Sequence, residues 1–486
     1  MHLQSKSLRA KSLQAKAPWV RLGIGFGTGL LLFAGVSSQF RSEATLPTLV
    51  PLPQDPYIQA YFNQNQAATY TDPYRHITRY GDDLEQVIID AIATAQTSID
   101  VAVHEFSLPG IAHALSEKQA AGVEVRVVVE NTYSKPMTKR GNPAAFAQLD
   151  DRAAAKASDL YAFIDADQDG ILSEEELRDR DALTILAEAD IPLIDDTADG
   201  SKGSGLMHHK FLVIDGRTVV TGSANLTLSD THGDFNNPDS RGNANSVLVI
   251  NSPLLAQRFQ QEFSYLWGDG PDGQPNSRFG LQKPHRTSTL VSTPGSVLEV
   301  QFSPTSKTKP WAQSVNGLIA KTLGQATQSV NLALFVFSER AISSQLVPVA
   351  SRGVSIKTLI DPSFAYRSYS EGLDMLGVAL PDHNCKRDDS IPWAQPITTV
   401  GVPVLLPGDK LHHKFAVIDQ NIALVGSQNW SQAANTTNDE NLLVIRNGTV
   451  AAHFEREFQR LYDGARLGMT PQLQNAIAQQ TQKCGL

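Results

Sequence analysis

The sequence predicts an α/β protein made of two similar lobes packed about a pseudo-twofold axis, with a helical insertion in the first lobe. Three observations predict this. "AQTSIDVAVHEFS" (Ala95–Ser107) is matched by "ATQSVNLALFVFS" (Ala326–Ser338), and "GVEVRVVVE" (Gly122–Glu130) by "GVSIKTLID" (Gly353–Asp361), both at an offset of 231 residues. In each copy a helical stretch leads to an apolar strand, and a second helical stretch leads to another, which is the pattern of a βαβ unit. Finally, "MHHKFLVIDGRTVVTGSANLT" (Met207–Thr227) is matched by "LHHKFAVIDQNIALVGSQNWS" (Leu411–Ser431) at an offset of only 204, so the first lobe holds 27 extra residues between Glu130 and His208.

Along the chain, a basic stretch ending at Arg21 precedes an uncharged span, Leu22–Phe40, of 19 residues. As a helix that span measures about 28 Å, close to the ~30 Å hydrocarbon core of a bilayer. Residues 1–43 are therefore expected to be a signal peptide or an N-terminal membrane anchor, with the body exported. A Pro-rich lead-in follows at 44–81. The first lobe is expected at 82–267, with its insertion near 151–190. A Gly/Pro/Ser-rich linker at 268–296 precedes the second lobe at 297–466, and a tail at 467–486 ends the chain. Charged residues are 19% of the 486, ordinary for a globular protein. The formal net charge is −9, and −14 without residues 1–43, so general attraction to a polyphosphate is not expected. Two cysteines, Cys385 and Cys484, are too few for a disulfide scaffold; in an exported chain they form one bridge or remain buried thiols.

The repeated segment carries the chemistry. Each copy reads H-x-K-x(4)-D-x(6)-G-S-x-N: His208, Lys210, Asp215, Gly222, Ser223 and Asn225, then His412, Lys414, Asp419, Gly426, Ser427 and Asn429. Strand residues two apart share a face, so each His and Lys project together, while His209 and His413 point to the opposite face as packing groups. A turn at the Asp returns the chain, bringing Ser and Asn back beside the His–Lys pair. Crowding basic groups onto a core strand costs desolvation energy unless an anion is held there. Two such segments, joined across a twofold axis, suit a phosphodiester. The lysines, serines and asparagines (Lys210, Ser223, Asn225, Lys414, Ser427, Asn429) would bind the phosphate, with a histidine on each side of phosphorus.

From about Asp82 to Asp463 the chain resembles the phospholipase D superfamily, whose HKD motif has this spacing and here occurs twice, intact. The resemblance implies a metal-independent, two-step displacement through a phosphohistidine at one composite site, in a chain that is a monomer with an internal pseudo-dimer. Family precedent makes His208 the nucleophile and His412 the acid, with Lys210 and Lys414 stabilising transition-state charge and Asp215 and Asp419 supporting the site. The family often places a carboxylate after the second motif, and Glu440 is expected to orient His412. The aligned residue in the first half is Asn245, leaving Asp234 or Asp239 to serve His208. The implied function is hydrolysis of phospholipid head-group phosphodiesters at a membrane surface. The alternative is an exported nuclease acting on nucleic acid, since the "GSQNWS" form also resembles bacterial nucleases and mitochondrial cardiolipin hydrolases. Cardiolipin synthase is a weaker match, because it carries more membrane helices and usually another residue in place of the motif serine.

The insertion contains "DADQDGILSEEE", Asp165–Glu176. This meets the twelve-residue EF-hand pattern: Asp165, Asp167, Asp169, the Ile171 carbonyl, Ser173 through water and Glu176, with Gly170 at the turn. A structural Ca²⁺ is expected there, outside the catalytic chemistry. A lone exported loop of this kind predicts weak affinity, on the order of 10⁻⁴–10⁻³ M.

Overall fold

The computed structural model describes residues 49–201, 203–387 and 390–485, so the predicted signal or anchor at 1–43 lies outside the described residues. The first lobe contains β1 (Ile58–Phe62), β2 (Thr69–Thr71), β3 (Thr78–Tyr80), β4 (Ser98–Val103), β5 (Glu124–Val129), β6 (Leu193–Asp195), β7 (Lys210–Ile214), β8 (Thr218–Gly222) and β9 (Ser246–Asn251). The second contains β10 (Thr289–Thr293), β11 (Ser296–Phe302), β12 (Ser329–Leu334), β13 (Ser355–Ile360), β14 (Val400–Val402), β15 (Lys414–Ile418), β16 (Ile422–Gly426), β17 (Asn441–Arg446) and β18 (Arg466–Leu467).

The two sheets repeat one topology. The first runs β1-β9-β8-β7-β4-β5-β6, and the second runs β11-β17-β16-β15-β12-β13-β14, with β10 and β18 added at its edges. β4 and β12 pair in parallel with the strand that follows a crossover helix, and antiparallel with the motif strand. The register is the same in both, with Val103 opposite Lys210 and Leu334 opposite Lys414. Helices of the first lobe are α1 (Leu84–Ala93), α2 (Pro109–Ala120), α3 (Met137–Arg140), α4 (Pro143–Phe146), α5 (Asp151–Ile164), α6 (Glu174–Arg180), α7 (Ala182–Glu188), α8 (Leu228–Thr231) and α9 (Pro253–Trp267). Those of the second are α10 (Val315–Gly324), α11 (Arg340–Ser351), α12 (Pro362–Ala365), α13 (Glu371–Met375), α14 (Gln432–Thr436), α15 (Gly448–Tyr462) and α16 (Pro471–Lys483).

Both faces of each sheet are covered, which is why β7 and β15 read as unbroken apolar runs and are buried throughout. One core is shared by the lobes: Phe211, Phe259 and Phe263 of the first pack in the same cluster as Phe415, Phe454 and Phe458 of the second. Burying each such ring contributes about 2–3 kcal/mol, so this shared core holds the two motif strands in a fixed relation. A separate core lies on the other face of each sheet.

Three expected boundaries shift. The lead-in at 44–81 supplies β1, an integral strand paired with β9. The linker at 268–296 is pinned in place: Phe279 is buried, and Lys283 forms ion pairs with Glu262 of the first lobe and Asp439 of the second. The tail supplies α16, whose Leu473 is buried and whose C-cap Cys484 is disulfide-bonded to Cys385, with Cα atoms 5.4 Å apart. Among the described residues no helix is long and apolar enough to cross a membrane.

Candidate active site

The lobes exchange strand-like bridges next to the motif histidines. Met207 pairs with Asp439, and Ala244 pairs with Leu411. The His208 amide donates to the Asp439 carbonyl at 3.0 Å, and the His412 amide donates to the Ala244 carbonyl at 3.1 Å. Each histidine is thus fixed by the backbone just before β9 or β17 of the opposite lobe, and the residue following each bridge reaches across to the imidazole.

This crossing corrects the expected partners. Glu440 Oε2 lies 2.7 Å from His208 Nδ1, not beside His412. His412 Nδ1 instead lies 3.0 Å from the side-chain oxygen of Asn245. The role expected of Asp234 or Asp239 is therefore filled from the other lobe. Asp230, unnoticed in the sequence, places a carboxylate oxygen 3.6 Å from His412 Nδ1 and also accepts the Asn225 amide and the Asn243 side chain.

The motif serines hold these partners. Ser223 Oγ donates to Asn245 Oδ1 at 2.8 Å and accepts the Ser246 amide. Ser427 Oγ accepts the Asn441 amide at 3.0 Å and bonds to Glu440. The preceding glycines allow the strands this close. A Cβ on Gly222 would stand 2.1 Å from the Ser246 carbonyl oxygen, and one on Gly426 would stand 2.3 Å from that of Asn441. Asp215 and Asp419 are also displaced from their expected place. They sit at the far ends of β7 and β15, roughly 16 Å along the strand from the lysines. Asp215 caps the start of β4 by accepting the amides of Gln96, Thr97 and Ser98, and Asp419 does the same for Thr327, Gln328 and Ser329. Their chemistry is that of turn residues.

His208, Lys210, His412 and Lys414 are brought together as expected and are all buried. Each lysine ammonium donates to the carbonyl of its own histidine, which keeps it beside the ring. Burial, followed by the charges of both lysines, pushes both imidazoles well below their usual range. Burial also brings Lys210 down to about 8 and Lys414 well below its usual range, and raises Glu440 to about 7. Burial is the leading cause of each shift, and a bound phosphodiester anion would favour the charged form of both lysines. Asn225 and Asn429 add an amide each; both leave a buried side-chain oxygen without a partner, and a half-turn of either amide presents its N–H groups instead.

The two walls differ. His104 lies 4.8 Å from His208, ring to ring. At the aligned position of the second lobe stands Phe335, 4.9 Å from His412 and 4.7 Å from Phe364. His104 was detectable as a polar break, "VHEF", at the end of an apolar strand whose partner reads "LFVF". On the far faces, His209 bonds Glu262 and His413 bonds Glu457, both at 2.9 Å, as packing residues behind the site.

The predicted metal loop begins at the end of α5. Oxygens of Asp165, Asp167 and Asp169 lie within 4.8 Å of one another. Asp165 is 8% exposed, yet its Oδ1 has no hydrogen-bond partner, while its Oδ2 accepts the Gly170 amide at 3.1 Å. Gly170 has φ +81°, the left-handed turn that position demands. Glu176 turns back toward the loop, accepting the amides of Ala166 and Ser173 and the Ser173 hydroxyl. Ile171 is exposed. The helical run after the loop breaks at Asp181, whose carboxylate accepts the Met137 amide and the Thr184 hydroxyl.

The chain is similar to several known proteins. Over 202 residues, 40% of this chain and 86% of the relative, the sequence is 27% identical to a mitochondrial cardiolipin hydrolase of Xenopus tropicalis. It is 24% identical over 177 residues to the Homo sapiens mitochondrial cardiolipin hydrolase, covering 36% of this chain and 62% of that one. The crystal structure of phosphatidylserine synthase from Haemophilus influenzae Rd KW20 shares the fold at a TM-score of 0.50 and 12% identity, over 86% of this chain and 88% of that one. Nuc, a phospholipase D family member from Salmonella typhimurium, aligns with 35% of this chain and 97% of its own, at a TM-score of 0.28 and 24% identity. Residues 88–267 and 319–462 match the family described as "Cardiolipin synthase, PLD-like domain", and the chain belongs to that family.

Proposed function

We propose that the protein is a phosphodiesterase of the phospholipase D type, which hydrolyses phospholipid head-group phosphodiesters through a phosphohistidine. The observation that carries this reading is the unequal pairing of the two histidines across one lysine-lined pocket. A carboxylate on Nδ1 of His208 keeps that nitrogen protonated, leaving the lone pair on Nε2, and offsets the positive charge the ring gains on attack. His412 bonds an uncharged amide through Nδ1, with the Asp230 carboxylate farther off at 3.6 Å, so its protonated form is held less firmly and gives up the Nε2 proton more readily.

In the first step His208 Nε2 forms the N–P bond as the P–O bond to the leaving alcohol breaks, and His412 protonates the departing oxygen. In the second, His412 takes a proton from water as that oxygen attacks phosphorus, and the N–P bond breaks to restore His208. Lys210 and Lys414 stabilise the charge on the pentacoordinate state. The residues form one site within one chain, which supports a monomer.

Support for a lipid comes from the net charge of −9, from the Phe335–Phe364 wall beside His412, and from the two hydrolase relatives named for cardiolipin. The Cys385–Cys484 disulfide supports an exported body. The test compares release of head group from phosphatidylcholine, phosphatidylethanolamine and cardiolipin vesicles with cleavage of single- and double-stranded DNA, using His208→Ala as the blank. Vesicles are expected to be turned over far faster. Rapid DNA cleavage absent from the blank, with no release from any vesicle, would establish a nuclease instead.

The depressed imidazoles predict an acid-shifted pH profile. The general acid must be protonated, and burial with Lys414 and Lys210 lowers the pH at which His412 loses its proton. The basic limb of kcat/KM is therefore expected below the ordinary histidine value of about 6.5. Lys210→Met removes a neighbouring cation and should move that limb upward while lowering the rate. A limb unmoved by Lys210→Met would remove His412 as its source.

A further inference from the structure

The insertion joins the predicted metal loop to the wall of the active site, and α5 is the connecting element. We propose that loop 165–176 is a Ca²⁺ site whose filling fixes α5, and that α5 carries this order to the active-site wall.

The loop fits the ion on its own geometry. Three carboxylates converge, and the buried Asp165 has an oxygen for which the protein supplies no donor. Oxygen donors of this kind, on a turn completed by Gly170 and closed by the Glu176 carboxylate, match a hard cation of variable coordination number. With three aspartates and Glu176 drawn together, mutual repulsion opposes a closed loop until a cation enters. The loop starts one residue after α5 ends, so closing it anchors the C-terminal end of that helix.

Three contacts lead from α5 toward the catalytic groups. Lys156 forms an ion pair with Glu105, the neighbour of His104, and its ammonium lies 4.4 Å from the ring centre of Tyr133. Tyr133 in turn packs 5.1 Å from His104, the ring beside His208. Asp159 accepts the backbone amides of Phe235 and Asn236 at 3.0 and 2.8 Å. Phe163, fully buried, packs against Phe235 at 5.5 Å and Tyr74 at 5.0 Å. The segment gripped this way runs on to Asn243–Asn245, where Asn243 holds Asp230 and Asn245 holds His412. It is also tied to the second lobe through Ser240 and Asp409. Among the described residues the second lobe has no counterpart of α5, which lies within the stretch where the first lobe is longer. Calcium would thus order one wall and the support of His412 without touching phosphorus. A contiguous set of packed and hydrogen-bonded groups is the physical requirement for such coupling.

The test uses the full chain, with calcium alone as the ligand. Calorimetry is expected to show one Ca²⁺ per chain, not replaced by Mg²⁺ at equal concentration, with a rise in melting temperature by mass action. Hydrogen exchange is expected to slow on calcium addition both in 156–176 and in 232–243. Asp165→Ala should lose binding and both effects. Asp159→Ala should still bind calcium and protect 156–176, yet lose protection at 232–243. On vesicle substrate, calcium should raise kcat/KM a few-fold in the wild type and not in Asp159→Ala. The kinetic arm rests on the phosphodiesterase reading, whereas calorimetry and exchange do not, so the two can fail separately. Absence of calcium binding would overturn the site. Binding with exchange changes confined to 165–176 would overturn the coupling. Complete loss of turnover in chelator, with exchange at 232–243 unchanged, would show that the metal acts on the chemistry directly.

Discussion

His208→Ala and His412→Ala are each expected to abolish turnover, because the two motifs build one site. The structural reason is the exchange across the lobes: the partner of each imidazole comes from the opposite half, so neither half holds a complete acid–base set. Proton transfer by a positioned histidine is worth about 10²–10⁴-fold, and loss of His208 also closes the covalent route. Both variants should therefore fall by several powers of ten in a steady-state phosphodiesterase assay. Two independent sites would instead leave each variant with about half the activity. The roles are separable with a phosphodiester whose leaving group is already acidic and needs no proton. On that substrate His412→Ala should still be labelled on His208, and the label should persist because no base activates water. His208→Ala should take no label. The reverse pattern would exchange the two assignments.

How much of this was legible depended on whether a residue's role is local. The duplication, the βαβ pattern in each half, and the burial of both His–Lys pairs follow from periodicity and spacing along the chain. So do His209 and His413, whose alternation on the strand places them against Glu262 and Glu457. What crosses between lobes was not legible. Glu440 aligns in sequence with Asn245, and both follow their own motif, so spacing alone assigns each to its own histidine. The bridges Met207–Asp439 and Ala244–Leu411 reverse that assignment. The serines and aspartates of the motif mislead for another reason: a recurring polar residue is as useful for holding backbone as for holding substrate. Ser223, Ser427, Asp215 and Asp419 all spend their oxygens on neighbouring backbone or on the histidine partners. Lys283 and Glu262 show the same limit, since a Gly/Pro-rich segment that reads as linker carries a buried ion pair.

Glu440→Ala is expected to lower kcat by about 10²–10⁴-fold, the second largest effect, although this carboxylate never touches phosphorus. Glu440 is fully buried and its two oxygens are occupied, one by His208 Nδ1 and the other by the Asn438 side chain. Removing it leaves the Nδ1 proton without an acceptor and frees the ring to adopt the tautomer whose Nε2 lone pair is gone. It also strips the compensating charge from an imidazole that becomes cationic when phosphorylated, in a pocket already holding Lys210 and Lys414. Glu440→Gln separates these effects, since an amide oxygen can still accept from Nδ1 while the charge is lost; it should fall between wild type and alanine. Asn245→Ala should cost less, because Asp230 remains 3.6 Å from His412 Nδ1. Asn245→Asp adds a carboxylate beside the acid, favours its charged form, and should move the basic pH limb upward while slowing proton delivery. Phosphoenzyme formation by rapid quench is the deciding measurement for Glu440. If Glu440→Gln formed phosphohistidine at the wild-type rate while Asn245→Ala did not, the carboxylate would not be the device that prepares the nucleophile, and His412 would take that role.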